Sequence, residues 1–420
     1  MKVITKNFLI LLIYTFISIQ IISCSSNPIA PPITRDRTTL WQEDIDYLSS
    51  QLKSEHLDFS TLIPEQKFNN SIADIKNSIS SLQDYEIYIK LQQLIASLKV
   101  AHTYITPSAS TKYHFVPILT YDFSDGLYII MTDQFNTNLL GKKILKVGGI
   151  DFLTVKDSLK TIISHENNYW VRDRIPFVLS FVEALKYFGF TNNLSEVELE
   201  LDGLGKIILK TTEQYLQNST LGFISILDGK KLPLYMENQS SYYWYNFIES
   251  NKTLYLKYNV CANAPDKSFA DFVSEIQDFL EITSVEKFII DVRDNSGGSS
   301  SVIEPLSFLE NSSLNQKGKL FMIIGRHTFS SALLNAISFK QSANVLLLVG
   351  EPTGGKPNSY GEVLTFELPN SGAMVRYSTA YFTMMNDDPE ALFPDYNIEI
   401  TSQDFFSGYD PVLEFIINYK

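Results

Sequence analysis

The sequence is short of cysteine, of charge and of basic residues relative to acidic ones, and each shortage excludes something. Two cysteines in 420 residues, Cys24 and Cys261, cannot make a disulfide framework. Charged residues are only 19% of the chain against 45% hydrophobic, which rules out a charge-rich disordered polymer or a coiled coil. Asp and Glu number 47 against 34 Lys and Arg, a formal net charge of −13, so a protein that tracks nucleic-acid phosphates is excluded. Neither His-Glu-x-x-His nor paired Cys-x-x-Cys occurs, leaving no visible zinc ligand set, and no cofactor is expected. Beyond residue 22 no uncharged apolar run approaches membrane length, and 420 residues suit two or three packed domains.

What is present begins with an address. Lys2 and Lys6 precede an apolar run from Phe8 to Ile22, followed by Ser23-Cys24-Ser25-Ser26. A positive start, a short apolar core and small residues describe a secretory signal, residues 1–23. A cysteine at the cut resembles the bacterial lipobox, which implies cleavage before Cys24 and lipid on its sulfur. Residues 24–37, with Pro28, Pro31 and Pro32, then form a flexible tether holding the body at the bacterial cell envelope, with the outer membrane favoured. Cys261 has no intramolecular partner left and reads as a small buried hydrophobe.

The body is α/β and multi-domain. Residues 38–110 have helical spacing: Ile87, Leu91, Leu94, Ile95 and Leu98 recur at three and four, and the helix is expected to run into Ala101-His102-Thr103. Residues 111–215 alternate short strands with turns, add two helices near Val155–Ile163 and Pro176–Tyr187, and close on a hairpin around Asp202-Gly203. Gly141 to Ile150 resembles the strand–turn–helix of PDZ modules, so this part is expected to be a β-rich, PDZ-like domain. A connecting segment, 216–251, carries the aromatic cluster Tyr242, Tyr243, Trp244 and Tyr245, read as packing between domains. From residue 252 to 420, strands alternate with helices, and their unbroken apolar runs suit a mostly parallel sheet covered on both faces.

Three segments of this last part could carry chemistry. Phe288 to Gly298 is a buried strand running into a glycine pair, whose amides can turn toward a ligand. In Gly325 to Ala336 a strand gives way to a helix near Ser330; a serine there is either a cap or a nucleophile favoured by free amides and the helix dipole. Gly350-Glu-Pro-Thr-Gly-Gly355-Lys356-Pro357 imitates a phosphate-binding loop, but Pro357 stands where the magnesium-binding hydroxyl belongs, and Asn358 to Gly361 reads as a turn rather than a helix start.

Taken in order, Asp291-Val-Arg293-Asp-Asn295-Ser-Gly297-Gly298, Thr328-Phe-Ser330-Ser-Ala and Gly350-Glu351-Pro-Thr353-Gly-Gly355 resemble the tail-specific (C-terminal-processing) serine protease family. The resemblance covers residues 252 to 416, and the helical start ending in Ala101-His102-Thr103 is similar to the branch related to the tricorn protease core. It implies Ser330 as nucleophile, His102 as general base, and an oxyanion hole from the N–H of Ser331 with that of Gly297 or Gly298. It also implies an acid in Asp387-Asp388-Pro389-Glu390, with Asp388 taken and Glu390 as the alternative. Another branch puts a basic lysine where Lys356 stands, so two bases are on offer, and Leu333 replaces a glutamate common among relatives. His327 is read as pointing away from Ser330, and His56, His114 and His165 as surface or packing residues. The implied activity is hydrolysis of an extended or C-terminal polypeptide through an acyl-enzyme; the alternative is a non-catalytic surface protein that binds peptide or glycan on the same fold.

Overall fold

The apolar runs of the last third make the sheet that organises the molecule. In the computed structural model, which describes residues 35–220, 222–343 and 345–420, six strands lie in the order Tyr243–Ile248, Thr253–Tyr258, Lys287–Asp291, Leu320–Ile324, Leu347–Gly350 and Tyr396–Asn397. The first pair is antiparallel and the other four are parallel. Alternate side chains explain the two covering layers. Leu254, Leu256, Ile290 and Met322 pack with Phe269, Phe272 and Ile276 of helix Phe269–Ile282 and with Ala332, Ala336 and Ile337 of helix Ser331–Ser342. Tyr255, Ile289, Phe321 and Val349 pack on the opposite face against Val412, Leu413 and Ile416 of helix Pro411–Asn418. Burying both faces is what a parallel sheet requires.

The N-terminal helices Arg37–Glu55, Glu65–Ser78 and Asp84–Ala96 form their own core around Ile45, Leu48, Leu52, Phe68 and Leu91. The last of them stops at Ala96, earlier than the periodicity suggests, so His102 lies in a turn instead of on a helix. That turn leads into strand Tyr104–Thr106, which pairs with Met374–Arg376 of the hairpin Ser359–Glu367 and Met374–Phe382. The expected turn at Asn358 to Gly361 is therefore the start of a nine-residue strand. Its pattern is hard to read because most of it is exposed and Glu362 adopts a left-handed conformation, φ 50°. Val375 and Tyr377 of this hairpin bury themselves in the helical core, so a ribbon from the C-terminal third locks the N-terminal helices in place.

Between these parts lie a hairpin, Ile118–Phe123 with Gly126–Thr132, and a four-stranded sheet with Ile144–Val147, Glu196–Leu201 and Gly205–Lys210. The second expected helix divides into Asn168–Val178 and Val182–Tyr187. Pro176 lacks the N–H that would continue the hydrogen-bond ladder, and the first helix ends two residues after it. The aromatic cluster packs within one part rather than between parts: Tyr243 meets Phe269 and Phe272, and Trp244 meets Tyr255. Residues 1–34, including Cys24, the signal reading and most of the tether reading, lie outside the described residues, while the tether's expected last residues, Asp36 and Arg37, already cap and open the first helix. Among those described, no helix is long and apolar enough to cross a membrane.

Candidate active site

Three loops leave the carboxyl ends of adjacent parallel strands, the edge where α/β sheets bind ligands. They are sewn together by backbone bonds: Phe329 N–H to Asn295 O at 3.2 Å, and Gly355 N–H to Thr328 O at 3.3 Å. Thr328 turns its hydroxyl onto Val292 O at 2.9 Å and accepts Gly325 N–H at 3.0 Å, which fixes the sharp exit from the strand. Thr353 does the same for the third loop, donating to Gly355 O at 2.9 Å and accepting Leu392 N–H at 3.0 Å.

Ser330 sits at the head of helix Ser331–Ser342 with φ 51° and ψ −131°. That conformation is strained for any residue with a Cβ and costs about 1–3 kcal/mol. Its hydroxyl makes no capping bond, so the cap role that sequence alone allowed is not the one adopted. The neighbouring hydroxyl is occupied, since Ser331 Oγ donates to Gly298 O at 2.7 Å. Ser331 N–H, at the first helical position, has no acceptor among the described residues.

The glycine pair faces Ser330 closely. A Cβ on Gly297, φ 111°, would lie 2.7 Å from Ser330 Cβ, and one on Gly298, φ 137°, 2.4 Å from Cys261 O. Asn295 is fully buried and organises the loop, donating to Tyr258 O at 2.9 Å and accepting Gly297 N–H at 2.9 Å. Of the two glycine amides the sequence left open, Gly297 N–H is thus engaged, and Gly298 N–H has no acceptor among the described residues. Cys261 is buried beneath them, and that burial pushes its thiol up to about 12.

His102 approaches from the N-terminal region. Its ring stacks on Phe329, the residue before Ser330, with centroids 4.4 Å apart. Phe329 stacks in turn on Trp170 at 4.2 Å, and the Arg174 guanidinium caps Trp170 at 3.8 Å. Both His102 ring nitrogens are buried, and neither makes a hydrogen bond of good geometry among the described residues; burial lowers the imidazole to about 4, and the nearby Tyr360 backbone counters this only in part. The turn on either side is pinned. Ala101 N–H donates to Glu166 Oε1 at 3.0 Å, and His56 Nε2 bonds Thr103 Oγ1 at 2.8 Å.

The remaining candidates lie differently. Lys356 Nζ binds Asp388 Oδ2 at 2.6 Å, an ion pair whose carboxylate is 60% exposed, so neither group bonds Ser330 or His102. The Glu390 side chain is exposed, while its backbone carbonyl accepts from Asn167 Nδ2 at 2.7 Å. His327 is held by Asp173 at 3.0 Å; burial would raise that carboxyl, yet His327 and Arg174 hold it down at about 2. His114 is likewise held by Glu183 at 2.8 Å. Leu333 is buried, and its side chain packs where a Cβ on Gly355 would fall, 2.8 Å away.

Two features escaped sequence reasoning. One is a buried charge lattice: Arg293 forks onto Asp410 at 3.1 and 2.9 Å and pairs with Asp291, which also accepts Tyr255 Oη at 2.5 Å. The motif arginine ties the first loop to the C-terminal helix that Asp410 caps. The other is Glu166, in a loop whose sequence, Ser164-His-Glu-Asn167, carries no recognisable signal.

No family model and no curated protein matches this chain. Solved structures do. Mature CPAF complexed with lactacystin is 15% identical, covering 91% of this chain and 99% of that one, with a TM-score of 0.62. A mutant form of CPAF gives 15% identity, 91% and 98% coverage and a TM-score of 0.63. The photosystem II D1 C-terminal processing protease is 13% identical over 88% of this chain and 98% of that one, at a TM-score of 0.38 that leaves the CPAF structures to define the likeness. The likeness to the CPAF structures therefore extends to the fold of nearly the whole chain.

Proposed function

We propose that this protein is a serine peptidase that cleaves extended or C-terminal polypeptide segments through an acyl-enzyme on Ser330. One observation carries the reading: a strained, uncapped serine at a helix head, flanked by two amides without acceptors and a buried imidazole stacked on the adjacent ring. Ser330 Oγ attacks the scissile carbonyl as His102 takes its proton. The carbonyl oxygen, now an oxyanion, turns toward the N–H groups of Ser331 and Gly298. His102 returns the proton to the leaving amine, and water repeats the sequence to release the acyl group. The Lys356–Asp388 pair supports His102 over Lys356 as base, because a lysine held as a cation has no lone pair to offer.

The substrate is a polypeptide, and the edge strand Gly205–Lys210, paired on one side only among the described residues, is suited to receive it by strand addition. Lipid on Cys24 would hold the enzyme at the cell envelope. The second reading, a binding protein on a peptidase fold, draws on one fact: neither nitrogen of His102 bonds an acid or Ser330. Catalytic hydrogen bonds often tighten only with substrate present.

A fluorophosphonate probe separates the two readings. The wild type should label on Ser330, Ser330→Ala should not, His102→Ala should lose most labelling, and Lys356→Ala should keep it. Absence of labelling in the folded wild type would leave the binding reading.

A further inference from the structure

Among the described residues, one carboxylate oxygen is buried with no hydrogen-bond partner: Glu166 Oε2. Its twin, Oε1, accepts Ala101 N–H at 3.0 Å, immediately before His102 in the chain. The segment around it touches the histidine turn and two of the three site loops. Asn167 Nδ2 donates to Thr353 O at 3.2 Å and to Glu390 O at 2.7 Å, and Trp170 stacks on Phe329. A loop of the middle region is therefore wedged among the histidine turn, the serine loop and the Gly350–Gly355 loop.

Resting on the peptidase reading, we propose that Glu166 is a positioning residue for His102: it anchors the turn that carries the imidazole and supplies the negative charge that steadies the ring once it takes the serine proton. No other carboxylate is arranged to do so among the described residues, and the one other group that favours the protonated ring is the neutral Tyr360 backbone. Neither His102 nitrogen makes a hydrogen bond of good geometry, Asp388 is committed to Lys356, and Glu390 directs its exposed side chain to solvent. A buried imidazole with no anion nearby resists protonation, and a carboxylate held against its own turn offsets that cost. The groups facing Glu166 are few. Lys356 approaches from the third loop with Asp388 behind it, Tyr381 from the hairpin, and the Ala101 amide from the turn that carries His102; His165 adjoins in sequence, with Lys99 and Lys160 beside it. Burial raises the Glu166 carboxyl to about 7, partly countered by Ala101 N–H and Lys356, so its charge changes near neutral pH.

The test compares the probe-labelling rate of the wild type, Glu166→Gln and Glu166→Ala between pH 5.5 and 9, with thermal unfolding run in parallel. Glutamine keeps an oxygen for Ala101 N–H but carries no charge. The expected result is a wild-type rate that climbs through a midpoint near 7, and a folded Glu166→Gln that is at least tenfold slower above it and has lost that limb. Wild-type rate and profile in Glu166→Gln would overturn the proposal while leaving the peptidase reading intact; an unlabelled wild type would end both. A measurement on the unaltered protein guards against misfolded variants. The His102 imidazole resonances, assigned by their loss in His102→Gln, should show an inflection near pH 7 as Glu166 ionises, and a flat response there would equally overturn the proposal.

Discussion

The imidazole of His102 and the ring of Phe329 stack at 4.4 Å with their planes 26° apart, although 227 residues separate them in the chain. This contact joins the N-terminal turn to the strained serine loop. Because Phe329 is sandwiched between His102 and Trp170, the position of the histidine depends on three separate parts of the sequence.

The strain at Ser330 should be measurable. Ser330→Gly removes a Cβ held at φ 51°, and glycine occupies that region freely. It should stabilise the protein by about 1 kcal/mol relative to Ser330→Ala, with both variants inactive toward the serine probe. Chemical denaturation of the two checks this, and equal stability would mean that the conformation is not strained.

Gly297→Ala attacks the same spot from the other side. The new Cβ would lie 2.7 Å from Ser330 Cβ and 3.0 Å from Ser331 N, at a backbone φ of 111°. We expect a loss of about 2–4 kcal/mol and at least a hundredfold drop in labelling rate. Both follow from unfolding curves and labelling time courses.

Two buried groups should give opposite pH signatures in stability. Glu166, raised from 4.5 to about 7, keeps a proton in the native state that the unfolded chain releases, so its contribution falls as pH rises through that interval. His102, lowered from 6.5 to about 4, refuses a proton that the unfolded chain accepts, so its contribution is full above 6.5 and fades as pH falls toward 4. Each effect is on the order of 3 kcal/mol at most, and they offset one another where the windows overlap. Calorimetry should therefore find that, relative to the wild type, His102→Gln loses stability with rising pH between 4.5 and 6.5, and Glu166→Gln gains it.

Breaking the Arg293 fork should be costly. Arg293→Met leaves Asp291 and Asp410 buried without their main cation, and a loss of about 3–5 kcal/mol is expected. Asp410 also accepts Val412 and Leu413 N–H at 3.0 and 3.2 Å. Asp410→Asn should accordingly loosen the C-terminal helix, which hydrogen exchange at those amides would register as lost protection.

Much of the layered sheet was legible because its strands are continuous apolar runs. Thr253–Tyr258, Lys287–Asp291 and Leu320–Ile324 are buried along all or nearly all of their length. The hairpin Ser359–Phe382 was illegible because its exposed, glycine-interrupted first strand lacks alternation. The end of the third helix was misplaced because apolar spacing continues past Ala96 into Leu98 and Val100, which are buried in the turn that follows. Local pattern reports burial, and burial in a turn resembles burial on a helix.

The sequence by itself determined the loops and their chemistry: glycines where backbones must touch, a serine at a helix head, and threonines whose hydroxyls fold the loops back on themselves, all encoded within a few residues of one another. Only the tertiary structure decided which histidine meets the serine loop, which glycine amide is left free, and that Glu166 holds the turn that carries His102. Those outcomes depend on packing between segments far apart in the chain, where stacking and desolvation, not spacing, choose the partners.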